Sequence, residues 1–226
     1  MKVEKGKGNS SNFEYPLIKK GSRPAVLTGI IDIGVQAGGE YRGEKKKDSR
    51  QFIPVFTLVK DTFKDNEGEL RFHKVSPWPI KIFGGAERGH FYDFCEAVDP
   101  EHEVMQKCSG EMGDLLGNRC LVNIYHTEPK MKDGKEVIYS NMGGVSPCPE
   151  DYPMPDYEGD LILFDTEEPS EEMWGKLNDR TKDLIKDGVN FAGSDLAALV
   201  AEWDAGSDAQ AADPQPEEDD DDDAPY

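Results

Sequence analysis

The chain has little of what would commit it to chemistry. It holds only four cysteines in 226 residues. Cys95, Cys108, Cys120 and Cys148 lie 13, 12 and 28 apart, and no CxxC or CxxH pair exists, so metal-ligand spacing is absent. A disulfide framework is not expected in a chain this long without a signal peptide; the cysteines read as free, buried thiols of a reducing compartment. His73, His90, His102 and His126 are scattered and form no ligand pattern. There is no GxSxG, no P-loop and no HExxH. Carboxylates are plentiful, so counting alone does not exclude a two-metal nuclease, but no acidic cluster sits at strand-end spacing in the first 150 residues. The chain therefore reads as a non-enzyme, with no catalytic residue, cofactor or metal expected. Long apolar runs are missing too. None approaches the ~18 residues of a membrane span. The first residues, MKVEKGKGNSSNFEYP, carry cations but no apolar stretch of a secretory leader.

Positive charge is scarce in one part of the chain only. The formal net charge is −20. Residues 1–150 carry 22 Lys+Arg against 22 Asp+Glu, whereas residues 151–226 carry 4 against 24. Within the neutral part, residues 1–81 have 16 basic against 10 acidic side chains, and residues 82–150 have 6 against 12. Such a split points to a polyanion-binding surface with an acidic appendage more than to a uniformly acidic enzyme. Hydrophobic content is 36%, low enough that part of the chain is expected to lack a packed core. The length suits one domain with extensions.

What is present is organised around residues 24–60. Residues 25–36 place Leu27, Ile31, Ile33 and Val35 on alternate positions, the period-2 signal of a half-buried strand. Gly29 inside that pattern predicts a bulge or bend. Residues 51–60 are apolar at nearly every position and predict a second strand. Ile53, Val55 and Val59 point one way, Phe52, Phe56 and Leu58 the other. One face should be core, leaving the other free to stack on bases. A turn at Asp65, Asn66 and Gly68 leads to a third strand over 70–75, and Pro77 and Pro79 mark an edge or exit. Phe91, Phe94, Cys95 and Val98 have helical spacing, so residues 86–98 predict a helix stopped by Pro100. A short helix within 101–117 is an open alternative. Residues 119–127 predict a fourth strand, Asp133-Gly134 a hairpin turn, and residues 136–142 a fifth strand.

Three strands, a helix and two further strands form the layout of an OB-fold. The predicted architecture is mostly β: a five-stranded OB-fold barrel with a helix between strands three and four, a C-terminal helical extension and a disordered acidic tail. The expected divisions are a flexible arm (1–23), the barrel (24–150), a proline-rich linker and helical extension (151–204) and the tail (205–226). In the extension, residues 161–164 are expected to dock on the barrel. Residues 171–187 form an amphipathic helix with Ser170 as N-cap and Gly188 as stop, and residues 195–203 a last short helix.

In an OB-fold the ligand crosses strands two and three, flanked by the loops after strands one and four. Both loops are basic here. The first holds Tyr41, Arg42, Lys45, Lys46, Lys47 and Arg50; the second holds Lys130, Lys132 and Lys135. Between them the strands offer Phe52, Phe56, Lys60, Arg71, Phe72, Lys74, Tyr125 and Tyr139. Cations that track phosphates beside rings that stack on bases are what sequence-tolerant single-strand binding requires. The plainer alternatives are a solvated lysine loop and core phenylalanines. Trp78 either stacks on a base or caps the barrel end. The tail, Glu217, Glu218, Asp219, Asp220, Asp221, Asp222 and Asp223 followed by Tyr226, is either a solubilising end or an imitation of a phosphate backbone. In the second case it folds over the groove and reaches a partner when DNA displaces it.

Three stretches carry a family resemblance: PAVLTGIIDIGVQ at 24–36, LLGNRCLVNIYH at 115–126 and IYSNMGGVSPCP at 138–149. In these the chain resembles the single-stranded DNA-binding proteins of tailed bacteriophages. The layout is similar over about residues 24–200. The acidic tail ending in an aromatic looks like those of phage proteins that recruit replication partners. The resemblance implies an OB-fold that coats single-stranded DNA in replication, recombination and repair, in the cytoplasm of an infected bacterium. It implies tail contacts to a DNA polymerase, a helicase or primase, or a nuclease. The helical extension at 171–203 departs from the minimal OB module and leaves open whether the chain forms a homo-oligomer. The rival expectations are a DNA-mimic inhibitor and an OB-fold protein adaptor that never touches DNA.

Overall fold

A computed structural model describes residues 16–132 and 135–210 of the chain. Its elements in order are β1 (Gly21–Gln36), β2 (Glu40–Tyr41), β3 (Glu44–Lys45), β4 (Ser49–Lys64), β5 (Leu70–Val75) and β6 (Ile80–Lys81). Then come α1 (His90–Val98), β7 (Arg119–His126), β8 (Lys130–Lys132), β9 (Lys135–Val137), β10 (Ser140–Pro147) and β11 (Ile162–Phe164). Three helices follow: α2 (Glu171–Gly175), α3 (Asp179–Lys186) and α4 (Asp195–Gln210). The protein is mostly β, dominated by one large sheet whose five long strands pair antiparallel in the order β10-β7-β1-β4-β5. The expected closed barrel is not observed: among the described residues no pairing joins β5 to β10.

β1 runs through the middle of the sheet, and Gly29 divides it. Before Gly29, Gly21 to Val26 pair with β7; from Gly29 to Ile31 the same edge pairs with β11, in parallel. The register with β4 slips between Leu27 and Gly29, as a bulge requires. A side chain cannot replace this glycine cheaply, since its Cβ would lie 2.9 Å from the Cβ of Val55. β4 is longer than its apolar run because Asp61 to Lys64 continue the strand, with Thr62, Phe63 and Lys64 paired to β5.

Two buried clusters lie on opposite faces of β1 and β4. One joins Leu27, Phe52, Phe56 and Leu58 to Phe91, Phe94, Cys95 and Val98 of α1 and to Cys120, Val122 and Ile124 of β7. The other joins Ile31, Ile33 and Ile53 to Phe164, Trp174, Leu177, Ile185, Leu196 and Val200. The extension beyond residue 150 is therefore the second wall of the sheet. This explains why β4 reads as apolar throughout: a strand covered on both sides has no polar face. Phe52 and Phe56 are 0% exposed. They are core, not stacking platforms, because α1 packs directly on them, with the Phe52 and Phe94 rings 5.1 Å apart.

Other differences have local causes. Residues 101–117 form no α-helix. The Asp99 carboxylate instead accepts the backbone N–H groups of Glu103, Val104 and Met105, holding the chain in a loop before a 3-10 turn at Met112–Leu115. The helix expected over 171–187 breaks in two, because Asn178 caps a new start by accepting from Thr181 N–H. Ser170 makes no side-chain cap bond. α4 continues to Gln210, into the stretch expected to begin the tail. The chain just before β1 is docked at Ile18, which is buried; its N–H donates to Ser140 Oγ at 3.0 Å, and its carbonyl accepts from His126 Nε2 at 2.8 Å. All four cysteines are free; burial pushes the Cys95 and Cys120 thiols well above the ordinary thiol range. No described helix is long and apolar enough to cross a membrane.

Candidate nucleic-acid interface

Directly facing residues of paired strands share a face, so register sorts the expected contacts. Phe56 faces Val75, and Ile124 faces Met142, all on the side of the first cluster. Lys74 faces Thr57 and Tyr125 faces Asn141, so these lie on the outer side. Phe72, two residues before Lys74, shares that side.

The sheet is open along the seam between β5 and β10, where side chains of both faces meet. Two hollows adjoin there, of about 320 and 340 Å³, and share Ser76, Asn141 and Met142. The first is lined by Trp78, Tyr125, Asn178 and Arg180; the second by Lys74 and Tyr139. Trp78 is 80% exposed, Tyr125 47% and Tyr139 42%. The Arg180 guanidinium lies 5.8 Å from the Trp78 ring centroid, within cation–π range. Four expected residues (Lys74, Trp78, Tyr125 and Tyr139) thus come together along the seam. Trp78 projects from the loop between β5 and β6, where Pro77 and Pro79 flank it and take no part in the ladder. Arg180, Asn141 and Asn178 were missed by sequence reasoning. Arg180 and Asn178 belong to a segment about a hundred residues downstream, and nothing local in the sequence ties α3 to β5.

The remaining expected residues do not join them. Arg50 is committed to carboxylates: its Nη2 donates to Asp32 at 2.8 Å and to Asp165 at 3.1 Å, and its Nη1 to Glu167 at 2.7 Å. Asp32 also accepts the N–H of Gly34 at 2.9 Å and of Thr166 at 3.2 Å, and the Thr166 hydroxyl. Burial alone would raise the pKa of Asp32. The Arg50, Thr166 and Gly34 hydrogen bonds outweigh it and hold the carboxyl below its ordinary value. This cluster ties the first hairpin to the extension and is a structural lock. Arg71 pairs with Asp65 at 2.9 Å on the exposed turn before β5. Lys60 and Phe72 lie on the outer side under residues 148–161: Lys60 Nζ donates to the Pro153 carbonyl, and the Phe72 and Tyr157 rings are 6.2 Å apart.

The first basic loop is a small hairpin of its own. β2 pairs with β3, and the central residues Arg42 and Gly43 both have positive φ, 54° and 81°, as a type I′ turn needs. Gly38 packs so tightly under it that a Cβ would overlap the Lys46 carbonyl oxygen. Arg42, Lys45, Lys46 and Lys47 are exposed there, and Tyr41 lies on β2. The second loop is the β8–β9 hairpin, which carries exposed Lys130 as well as Lys132 and Lys135; its turn, Asp133-Gly134, lies outside the described residues. The two loops were expected to frame one groove. Gln36 pairs with Ser49 at one end of β1 and Gly21 pairs with Ile124 at the other, so the loops sit beyond opposite ends of that strand. A ligand touching both would have to follow β1, as much as roughly 50 Å if straight.

Comparison with protein-family models, curated proteins and solved structures finds no match to this chain. Among the described residues, no group of three or more His, Cys, Asp or Glu is placed to hold a metal ion. What the seam can do follows from its side chains. It offers flat apolar rings to water, two cations and two amides.

Proposed function

We propose that the chain binds single-stranded DNA without sequence preference, along the seam between β5 and β10. The observation that carries this reading is Trp78, 80% exposed beside Arg180 and sharing an open hollow with Tyr125 and Asn141. Held largely in water, this indole adds little to stability beyond its cation–π contact with Arg180, about 0.5–1 kcal/mol; stacking on a base uses the rest of its surface. Lys74 and Arg180 supply charge for phosphates, and the rings tolerate any base. The strand order, with α1 between β5 and β7 in sequence, supports an OB-type arrangement opened where its two edge strands would meet. A role in phage replication, recombination and repair in the host cytoplasm goes with this reading. So does partner recruitment by the tail at Glu217–Asp223 and Tyr226, which lies outside the described residues.

The test is an oligo(dT) titration of wild type and Trp78→Ala at two salt concentrations. Each stacked base is worth about 1–3 kcal/mol, so the variant should bind roughly five- to 150-fold more weakly. Its stability should fall by no more than the cation–π contact with Arg180, about 0.5–1 kcal/mol. Trp174 and Trp203 pack in the second cluster, so quenching of tryptophan emission by oligo(dT) should vanish with Trp78. A wild-type protein that leaves oligo(dT) unshifted at low salt would instead favour the DNA-mimic reading. That reading draws on residues 151–204, with 15 acidic side chains against 4 basic.

A further inference from the structure

Residues 148–161 cross the outer side of the sheet between the end of β10 and the start of β11. They contain five acidic side chains and no Lys or Arg. Their contacts with the sheet are of three kinds. The Asp156 carboxylate accepts from Arg119 Nη2 at 2.7 Å. The Tyr157 ring meets the Phe72 ring edge-on at 6.2 Å. Lys60 donates to the Pro153 carbonyl, with its ammonium 5.2 Å from the Tyr152 ring centroid. An anion on an arginine, a ring on a phenylalanine and a polar oxygen on a lysine are the contacts that phosphate, base and sugar would make there.

We infer that residues 148–161 are a built-in stand-in for nucleic acid, occupying a second single-strand surface formed by Lys60, Phe72 and Arg119 and yielding it when a strand arrives. This rests on the single-strand reading of the seam.

The segment is built to lift. None of its residues belongs to a strand or helix. Pro149, Pro153 and Pro155 have no N–H to give a ladder. A hollow of about 210 Å³ remains beneath it, lined by Val26, Arg119, Tyr157 and Leu161, so its underside is not close-packed. Asp156 keeps 86% of its side chain in solvent, where an ion pair is weak and exchangeable. Yet both ends are held, by β10 on β7 and by β11 on β1, so the segment yields without leaving. Lys74 continues the surface towards the seam, on the same side of β5 as Phe72. A strand entering at Trp78 therefore meets the covered surface next.

The experiment uses the full chain. D151N/D156N/E158Q/D160N weakens the stand-in. E168Q/D183N/D187N/E202Q removes the same charge from exposed positions elsewhere. Oligo(dT) affinity at low salt should rise ~3- to 10-fold in the first variant beyond any gain in the second. The salt slope of the first should steepen by about one phosphate contact. In wild type, deuterium uptake by residues 148–161 should increase when oligo(dT) is added. Equal gains in the two variants, with uptake at 148–161 unchanged or reduced by oligo(dT), would overturn the inference and leave the seam standing. No binding by wild type or either variant would remove both.

Discussion

The two faces of the central sheet are covered by opposite means. On the first, α1 lies on Phe52, Phe56 and Leu58 and comes from the stretch between β5 and β7. On the second, Phe164, Trp174, Ile185 and Leu196 come from the acidic extension, more than a hundred residues after the β-strands they cover. The first cover is a single helix with two acids, Asp93 and Glu96, and is bound up with the strand order. The second carries 11 acids over residues 162–204 and is joined directly to the acidic segment over Lys60 and Phe72. One region completes the fold; the other completes the fold and also controls which part of the sheet meets solvent. The outer side is thus not a broad platform for bases, and its open part has narrowed to the seam.

The strongest way to break this comparison is to empty each cluster in turn. Phe52→Ala and Phe164→Ala should each cost about 3–5 kcal/mol, the range for a phenylalanine removed from a close-packed interior. Both should shift one and the same cooperative transition in denaturant. If Phe164→Ala lowered a separate, weaker transition and left the other in place, the extension would be an appended unit and not a wall of the sheet.

A smaller effect is expected at the lock between the faces. Asp32→Asn should cost about 2 kcal/mol, since it removes a charge-assisted acceptor from Arg50 and Thr166. The folded carboxyl titrates below its unfolded counterpart. The native state thus binds fewer protons, and the contribution is fully present above the unfolded value of about 3.9. It is lost as pH falls from there through the lowered folded value. Wild type and Asp32→Asn should therefore converge in stability on acidification. Melting curves from pH 7 to 3 check this; a constant gap across that range would mean that Asp32 is not the titrating group.

The smallest effect belongs to the first basic loop. K45Q/K46Q/K47Q should leave stability unchanged within about 0.5 kcal/mol. If the seam is the main contact, oligo(dT) affinity should fall less than in Trp78→Ala, with most of the loss disappearing at high salt. A loss larger than that of Trp78→Ala would move the site towards the end of β1 and away from β5 and β10.

Much of this was legible in residues close together in sequence. The strand at 25–36, the bend at Gly29, the turn at Asp65 and the helical spacing of Phe91, Phe94 and Val98 all appear where local pattern put them. The single buried face expected of that strand does not: β1 is covered on both sides, and across the bulge Leu27 packs in the first cluster and Ile31 and Ile33 in the second. Trp78, Tyr125, Tyr139 and Lys74 could be named as candidates, because rings and cations at strand ends are visible as residue types. Phe52 and Phe56 were misjudged for a definite reason. Period two says that β4 has two faces, but not that both are covered. β11 was too short to distinguish from a docking loop, and its partner Gly29–Ile31 lies over a hundred residues upstream.

The sequence by itself determined the strands β1, β4, β5 and β7, the bulge in β1 and the separation of a neutral body from an acidic remainder, because dihedral preference, alternation and charge are properties of neighbouring residues. Only the tertiary structure decided that the acidic remainder supplies the second cover, that Arg50 faces carboxylates, and that Trp78 meets Tyr125 and Arg180 across an unclosed seam. These are meetings between distant segments. They depend on which buried surfaces fit together, and no local pattern carries that information.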